Sequence, residues 1–230
     1  MDFAGMQNLT LLDFPGKVAC ILFVSGCNFR CPFCHNASLV CCSGENTFPE
    51  ADVLAFLKKR QGLLDGVVIS GGEPTVYPAL LPFLQKVRQL GYAIKLDTNG
   101  TNPDLLKQIV EEGLVDYVAM DIKNSPALYS ATCGISKPDI ASIEESRAFL
   151  MSGATDYEFR TTVVDGLHTK ESIGELACWI AGARRYYLQA FKDSGNLLAP
   201  DRLKAFSEPT MYELLEIAKA HIPAAALRGI

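Results

Sequence analysis

Short apolar runs alternate along this chain with longer stretches in which apolar residues recur every three or four positions. These are the signatures of buried strands and amphipathic helices. The runs are Val18 to Val24, Val67 to Ile69, Tyr92 to Leu96, Tyr117 to Met120, Tyr157 to Val164 and Tyr186 to Phe191. Helical spacing follows each run: Val53, Phe56 and Leu57 after Thr47-x-x-Glu50 with Pro49; Leu80, Phe83, Leu84 and Val87, stopped by Gly91; and Leu105, Leu106, Ile109 and Val110 behind the Asn102-Pro103 cap. Pro138 to Met151 and a helix capped by Thr169, with Ile173, Leu176, Ala177 and Ile180 on one face, continue the pattern. Thr210-x-x-Glu213 opens a last helix, and Ala224 to Gly229 fits either one more short strand or coil.

Strands alternating with helices imply parallel βαβ units with right-handed crossovers. Polar residues decide the architecture. Cys27, Gly72, Asp97, Asp121 and Lys192 each fall at or just past the C-terminal end of a different run, where a βα barrel gathers its active site. A doubly wound sheet would concentrate them at one switch point. Six runs predict an α/β fold, an incomplete (β/α)6 barrel of parallel strands, as a single domain over residues 1–230.

The composition fits a globular chain large enough to bury a core, with 49% hydrophobic and 20% charged residues. No apolar run approaches the roughly 20 residues of a membrane helix, and no export signal opens the chain. The expectation is a cytoplasmic protein without a membrane partner. A net charge of -5 without Lys/Arg clusters argues against a nucleic-acid footprint. In a reducing compartment the eight cysteines are expected as free thiols. Cys20 and Cys178 read as packing residues, while Cys41, Cys42 and Cys133 fall in expected loops without a readable role.

Three thiols, Cys27, Cys31 and Cys34, lie within eight residues directly after the first run. Read from residue types alone, they form with His35 a Cys3His zinc set, although adjacent Cys34 and His35 do not easily turn onto one ion. A cubane iron–sulfur cluster is the other reading: it takes four thiolates, so C-x3-C-x2-C leaves one iron open. The C-x3-C-x-aromatic-C loop, with Phe33 as the aromatic, resembles the signature of radical S-adenosylmethionine (SAM) enzymes. Leu11-Leu12-Asp13-Phe14-Pro15-Gly16-Lys17 and the run Gly26 to Asn36 are similar to activating proteins of anaerobic ribonucleoside-triphosphate reductases.

That resemblance implies a [4Fe-4S] cluster on Cys27, Cys31 and Cys34, with SAM on the open iron. It implies reductive SAM cleavage that generates a glycyl radical on the reductase, with electrons from a low-potential donor such as flavodoxin or ferredoxin. Phe33 would carry the adenine contact, and the Gly71-Gly72-Glu73-Pro74 motif, with Gly72 and Glu73, the methionine end. Thr98 and Asn99, Asp121 and Lys123 belong to D-T-N and D-x-K segments that bind SAM or shape its site in such activases. Arg160 and Lys192 join them by position. Taken singly, these segments also read as strand-end turns and a solvated ion pair. His35, His168 and His221 show no ligand spacing and read as surface or capping residues. Activation of another glycyl-radical enzyme of the pyruvate formate-lyase type, a small-molecule radical SAM reaction and a zinc-stabilised binding module are the competing functions. Six βα units without an inserted lid favour a polypeptide substrate over a small molecule.

Overall fold

The computed structural model describes residues 1–40, 48–193, 195, 197–199 and 203–230. One eight-stranded sheet runs in the order β1 to β8, with strands Gly5–Thr10 (β1), Ala19–Val24 (β2), Gly66–Gly71 (β3), Ala93–Thr98 (β4), Tyr117–Asp121 (β5), Asp156–Val163 (β6), Tyr186–Ala190 (β7) and Ala225–Arg228 (β8). All neighbours from β2 onward pair in parallel, and β1 pairs antiparallel with β2. β1 and β8 do not pair with each other, so the barrel stays open on one side. The helices are α1 (Ala37–Val40), α2 (Glu50–Lys59), α3 (Leu80–Gln89), α4 (Pro103–Glu111), α5 (Tyr129–Cys133), α6 (Ile140–Met151), α7 (Lys170–Trp179) and α8 (Glu208–Lys219). None is long and apolar enough to cross a membrane.

Strand periodicity sorts the side chains into two faces. Cys20, Leu22 and Val24 of β2, Val67 and Ile69 of β3, Ile94 and Leu96 of β4 and Val118 and Met120 of β5 join the helix residues Leu57, Phe83, Leu106 and Ile143 in the main core. The alternate residues Ala19, Ile21, Val68 and Tyr117 form a separate small cluster on the concave face, closed at the strands' N-terminal end by Phe14. Further along the same parity come Ser70, Asp97, Asp121, Arg160, Thr162 and Gln189. Register keeps them level: Asp121 pairs with Arg160 and Thr162 with Gln189.

The six expected parallel strands are present, flanked by two more. The tail that fitted strand or coil is strand β8. β1 escapes the pattern because its residues show no alternation of burial. Asn102 with Pro103 and Thr169 cap α4 and α7 as expected, the latter in a reciprocal box with Ser172. Two helix starts differ. Pro49 precedes α2 directly, and Thr47 lies outside the described residues, as do Cys41 and Cys42. The cap of α8 is Ser207, whose Oγ accepts from the Thr210 N–H, because Pro209 takes the first turn and needs no donor partner. Cys20 is packed in the core as expected, but Cys178 is exposed. Cys133 ends helix α5 and is buried, since Gly134 closes the helix in the left-handed region at φ 71°.

Leu22, fully buried at the centre of β2 between Met6 of β1 and Ile69 of β3, tests this placement. Leu22→Ala is expected to cost about 2–5 kcal/mol, read by urea denaturation as a lower midpoint with unchanged slope. An unchanged midpoint would contradict the burial.

Candidate active site

The loop after β2 is pinned on both flanks before any ligand is considered. Gly26 N–H donates to Leu39 O at 2.7 Å, and Arg30 N–H to Cys133 O at 2.9 Å. Arg30 folds its guanidinium back onto Cys27 O and Phe29 O, and Phe29 packs edge-on against Tyr129 of α5. Cys34 N–H closes a turn onto Cys31 O at 3.0 Å, and Phe29 N–H points at Cys27 Sγ at 3.3 Å. These bonds hold Cys27, Cys31 and Cys34 against one end of a cavity of about 380 Å³.

The glycine motif after β3 meets this loop backbone to backbone. Glu73 N–H donates to Gly26 O at 2.9 Å, so closely that a Cβ on Gly72 would sit 1.8 Å from that oxygen. Glycine is therefore demanded at 72 by the cysteine loop itself. The Glu73 side chain, 1% exposed, is held by protein donors. Its Oε1 accepts from Thr75 N–H, Thr75 Oγ1 and Thr98 Oγ1, and its Oε2 from Asn99 N–H. Burial raises the Glu73 carboxyl despite these donors. Asn99 Nδ2 then donates to Asn28 Oδ1 at 2.8 Å, tying the end of β4 to the cysteine loop.

On the concave face beyond lies a charged cluster. Arg160 bonds Asp121 Oδ1 through Nε at 2.9 Å and approaches Asp97 Oδ2 through Nη1 at 3.4 Å. Lys123 Nζ donates to Asp121 Oδ2 at 3.0 Å, and Lys95 Nζ and Ser70 Oγ complete Asp97. Burial alone would raise the Asp121 carboxyl; Arg160 and Lys123 together outweigh it and hold it at about 2. Asp97 is lowered in the same way, against burial, by Arg160 and Lys95. Burial disfavours the Lys123 ammonium, yet Asp121 keeps its pKa above the usual lysine value.

Of the residues expected from the sequence, Cys27, Cys31, Cys34, Phe33, Gly72, Glu73, Thr98, Asn99, Asp121, Lys123 and Arg160 all line this one cavity. Lys192 does not. It lies in an adjoining depression with Arg228 and Gly229, and its carbonyl accepts from His35 Nε2 at 2.6 Å. The sixth-run side chain that reaches the cavity is Gln189. Ser70, Asp97, Thr162, Asn28 and Asn36 complete the surroundings. Strand parity signals the first three, whereas the asparagines required the folded loop. His168 is neither surface nor cap: it is buried, with both ring nitrogens bonded to backbone.

The donor set suits a cubane better than a single zinc ion. His35 is stacked on Phe191 and bonded to Lys192 O, so it is committed away from the thiols. Among the described residues, no three His, Cys, Asp or Glu side chains are grouped to hold one ion, whereas a cubane distributes its thiolates over separate irons. Burial pushes the Cys31 thiol up to about 12 and raises Cys27. Such thiols remain protonated until a metal displaces the proton.

Residues 21–146, more than half of the chain, match the family model of the radical SAM superfamily. A Methanocaldococcus jannaschii protein named as a glycyl-radical enzyme activating enzyme is 30% identical over 241 residues, covering 99% of this chain and 95% of that protein. The pyruvate formate-lyase-activating enzyme of Clostridium pasteurianum is 28% identical over 124 residues, 52% of this chain and 51% of that protein. In fold, a solved radical SAM methyltransferase from Sphaerobacter thermophilus has a TM-score of 0.74 at 14% identity, covering 96% of this chain and 68% of its own.

Two outcomes follow from this geometry. A carboxyl held below its unfolded value contributes stability that is complete above the unfolded pKa, about 3.9 for aspartate, and is lost as pH falls through the folded value. Stability of the cluster-free protein should therefore fall between about pH 4 and 2, with a shallower slope in Asp121→Asn, measured by urea titration at each pH. Gly72→Ala should cost on the order of 1–3 kcal/mol and lower reconstituted cluster content, because the methyl group must part the glycine motif from Gly26. Normal cluster absorbance with normal stability would refute the contact.

Proposed function

The chain belongs to the radical SAM superfamily, and from that premise we propose that it is an activating enzyme that installs a glycyl radical on an anaerobic ribonucleoside-triphosphate reductase. Enzymes of this superfamily use a [4Fe-4S] cluster and SAM. The observation that carries the activase reading is the likeness to the M. jannaschii protein along nearly the whole chain. The reductase as partner is supported by the flank Leu11 to Asn36, which resembles the reductase activators.

In this reading Cys27, Cys31 and Cys34 would hold the [4Fe-4S] cluster, and SAM would bind beside it in the same cavity. When bound, the cluster would supply the electron for reductive cleavage of SAM, the chemistry by which a hydrogen atom would be taken from the target glycine. The chain's own part is binding, orientation and exclusion of competing reactions. Phe33 and Gly72 wall the cysteine end. Lys123 donates one Nζ–H to Asp121 and turns its remaining donors to the ligand's carboxylate or ribose oxygens. Asp121 and Arg160 fix each other, so neither reorganises when the ligand arrives. Glu73 and Thr98 act one step back by holding Asn99 in place. The open side between β1 and β8 admits a polypeptide loop, whose own surface closes the cavity against water. Electrons come from a low-potential donor of the flavodoxin or ferredoxin kind.

The C. pasteurianum relative favours a second reading with the same chemistry and a formate-lyase partner. Anaerobic mixing of the cluster-loaded protein, SAM, a reductant and each candidate partner separates them by electron paramagnetic resonance. The expected result is a glycyl doublet on the reductase that disappears when its candidate glycine is changed to Ala. Cys27→Ala, Cys31→Ala and Cys34→Ala should each abolish it, while Cys178→Ser retains it. A doublet only on the formate-lyase partner would exchange the two readings, and SAM cleavage with turnover of a small metabolite would overturn both.

A further inference from the structure

Where the β5–β6 ladder ends, the Asp121-Ile122-Lys123 run is still gripped. Ile122 N–H donates to Arg160 O at 2.9 Å, and Ile122 O accepts from Thr161 Oγ1 at 2.7 Å. Lys123 O is one residue beyond this pairing, inside the protein, and needs a donor. It receives one from His168 Nε2 at 2.8 Å. The other ring nitrogen, Nδ1, lies 3.1 Å from Val164 N, just past the end of β6. Nδ1 also lies 3.3 Å from Val164 O, but that oxygen already accepts from the Leu167 and His168 N–H groups, whereas Nε2 faces a carbonyl at 2.8 Å that only a donor can satisfy. The ring proton is therefore on Nε2, and Nδ1 accepts from Val164 N–H. The ring is 2% exposed, and burial disfavours its charged form. Beside it Asn124 Nδ2 donates to Thr132 Oγ1 and Leu167 O, fixing the next residue to the same turn.

We propose that His168 is a positioning residue for SAM: by accepting from Val164 and donating to Lys123 O, it sets the backbone from which the Lys123 ammonium reaches both Asp121 and the ligand. The proposal rests on Lys123 being a SAM contact. The imidazole touches no ligand atom itself. It joins the ends of two strands, one carrying Asp121 and the other Arg160 and Thr162, and its one bond on the first strand's side is to Lys123 O. A displacement of roughly 1 Å at a positioning group is enough to lose much of its effect.

The test is equilibrium SAM binding to the cluster-loaded protein under anaerobic conditions, with cluster absorbance and melting temperature measured in parallel. His168→Leu orphans Lys123 O and should weaken SAM binding on the order of tenfold with cluster absorbance intact. His168→Gln, which can return an N–H to Lys123 O, should recover most of the affinity. Lys123→Ala should weaken binding by itself, and adding His168→Leu to it should change the affinity by less than about twofold, because the two act through one contact. A His168→Leu effect that persists in full on top of Lys123→Ala would make the histidine a general structural residue and overturn the proposal. So would parental affinity in His168→Leu beside a weakened Lys123→Ala. Parental affinity in Lys123→Ala would remove the lysine from the site and is distinguishable from either result. Should His168→Leu fail to fold, the Gln variant and imidazole 15N spectra of the unsubstituted protein decide. An Nε2-protonated neutral ring supports the assignment, and an Nδ1-protonated ring refutes it.

Discussion

A side chain on a parallel strand can face the concave surface only at every second position, and in this chain those positions turn polar as the strands approach their C-terminal ends. β3 runs Gly66, Val68, Ser70; β4 Ala93, Lys95, Asp97; β5 Tyr117, Ala119, Asp121. Level register converts this gradient into a site, since Asp121 stands opposite Arg160 and Thr162 opposite Gln189. A slip of one residue on β5 would send Asp121 into the helix-facing core and Met120 into the cavity. The apolar residues on the other face, packed against the helices, forbid that slip. The chemistry of the concave surface is thus held in place by burial on the convex one.

Charge this dense inside a fold is stable only when each group is answered. Glu73 accepts four hydrogen bonds within the protein, and Asp97 and Asp121 share Arg160 between Lys95 and Lys123. Removing Asp97 or Asp121 would strip Lys95 or Lys123 of its carboxylate, and an enclosed charge left without its partner costs more than the pair contributes. The same economy of partners keeps the groups rigid. A ligand entering the cavity meets dipoles and charges already oriented, which is where electrostatic sites gain most over water.

Much of this was legible in the sequence, for physical reasons that also mark the limit. The cysteine loop and the polar strand ends are local patterns, so Cys27, Cys31, Cys34, Asp121 and Lys123 could be placed before any fold was known. Arg160, Ser70 and Gln189 follow from strand parity once the strand boundaries are right. Lys192 misleads because it lies past the end of β7, where parity no longer applies and the carbonyl, not the side chain, meets His35. Glu73 looks like a ligand contact in sequence, and only the approach of Thr98 and Asn99 reveals that its carboxylate is already engaged by protein donors. His168 carries no local signal. Its partners Val164 and Lys123 O come from two strand ends that become neighbours only in the folded sheet.

The cysteine loop shows why α5 matters to the candidate site although none of its residues lines the cavity. A loop proposed to hold a cluster through three thiols cannot rely on the metal for its shape if the apoprotein is to accept it, so its backbone must be held by protein. Here the hold comes from two sides. Gly26 O is fixed by Glu73 N–H, and Arg30 N–H by Cys133 O, with Gly134 so close that a Cβ would lie 2.0 Å from Arg30 O. The Trp179, Tyr129 and Phe29 rings pass that support inward from α7. The two close approaches are made at glycines because any side chain there would lever the loop away. Thiol spacing therefore depends on backbone contacts from β3 and α5 that a list of cysteine ligands does not contain.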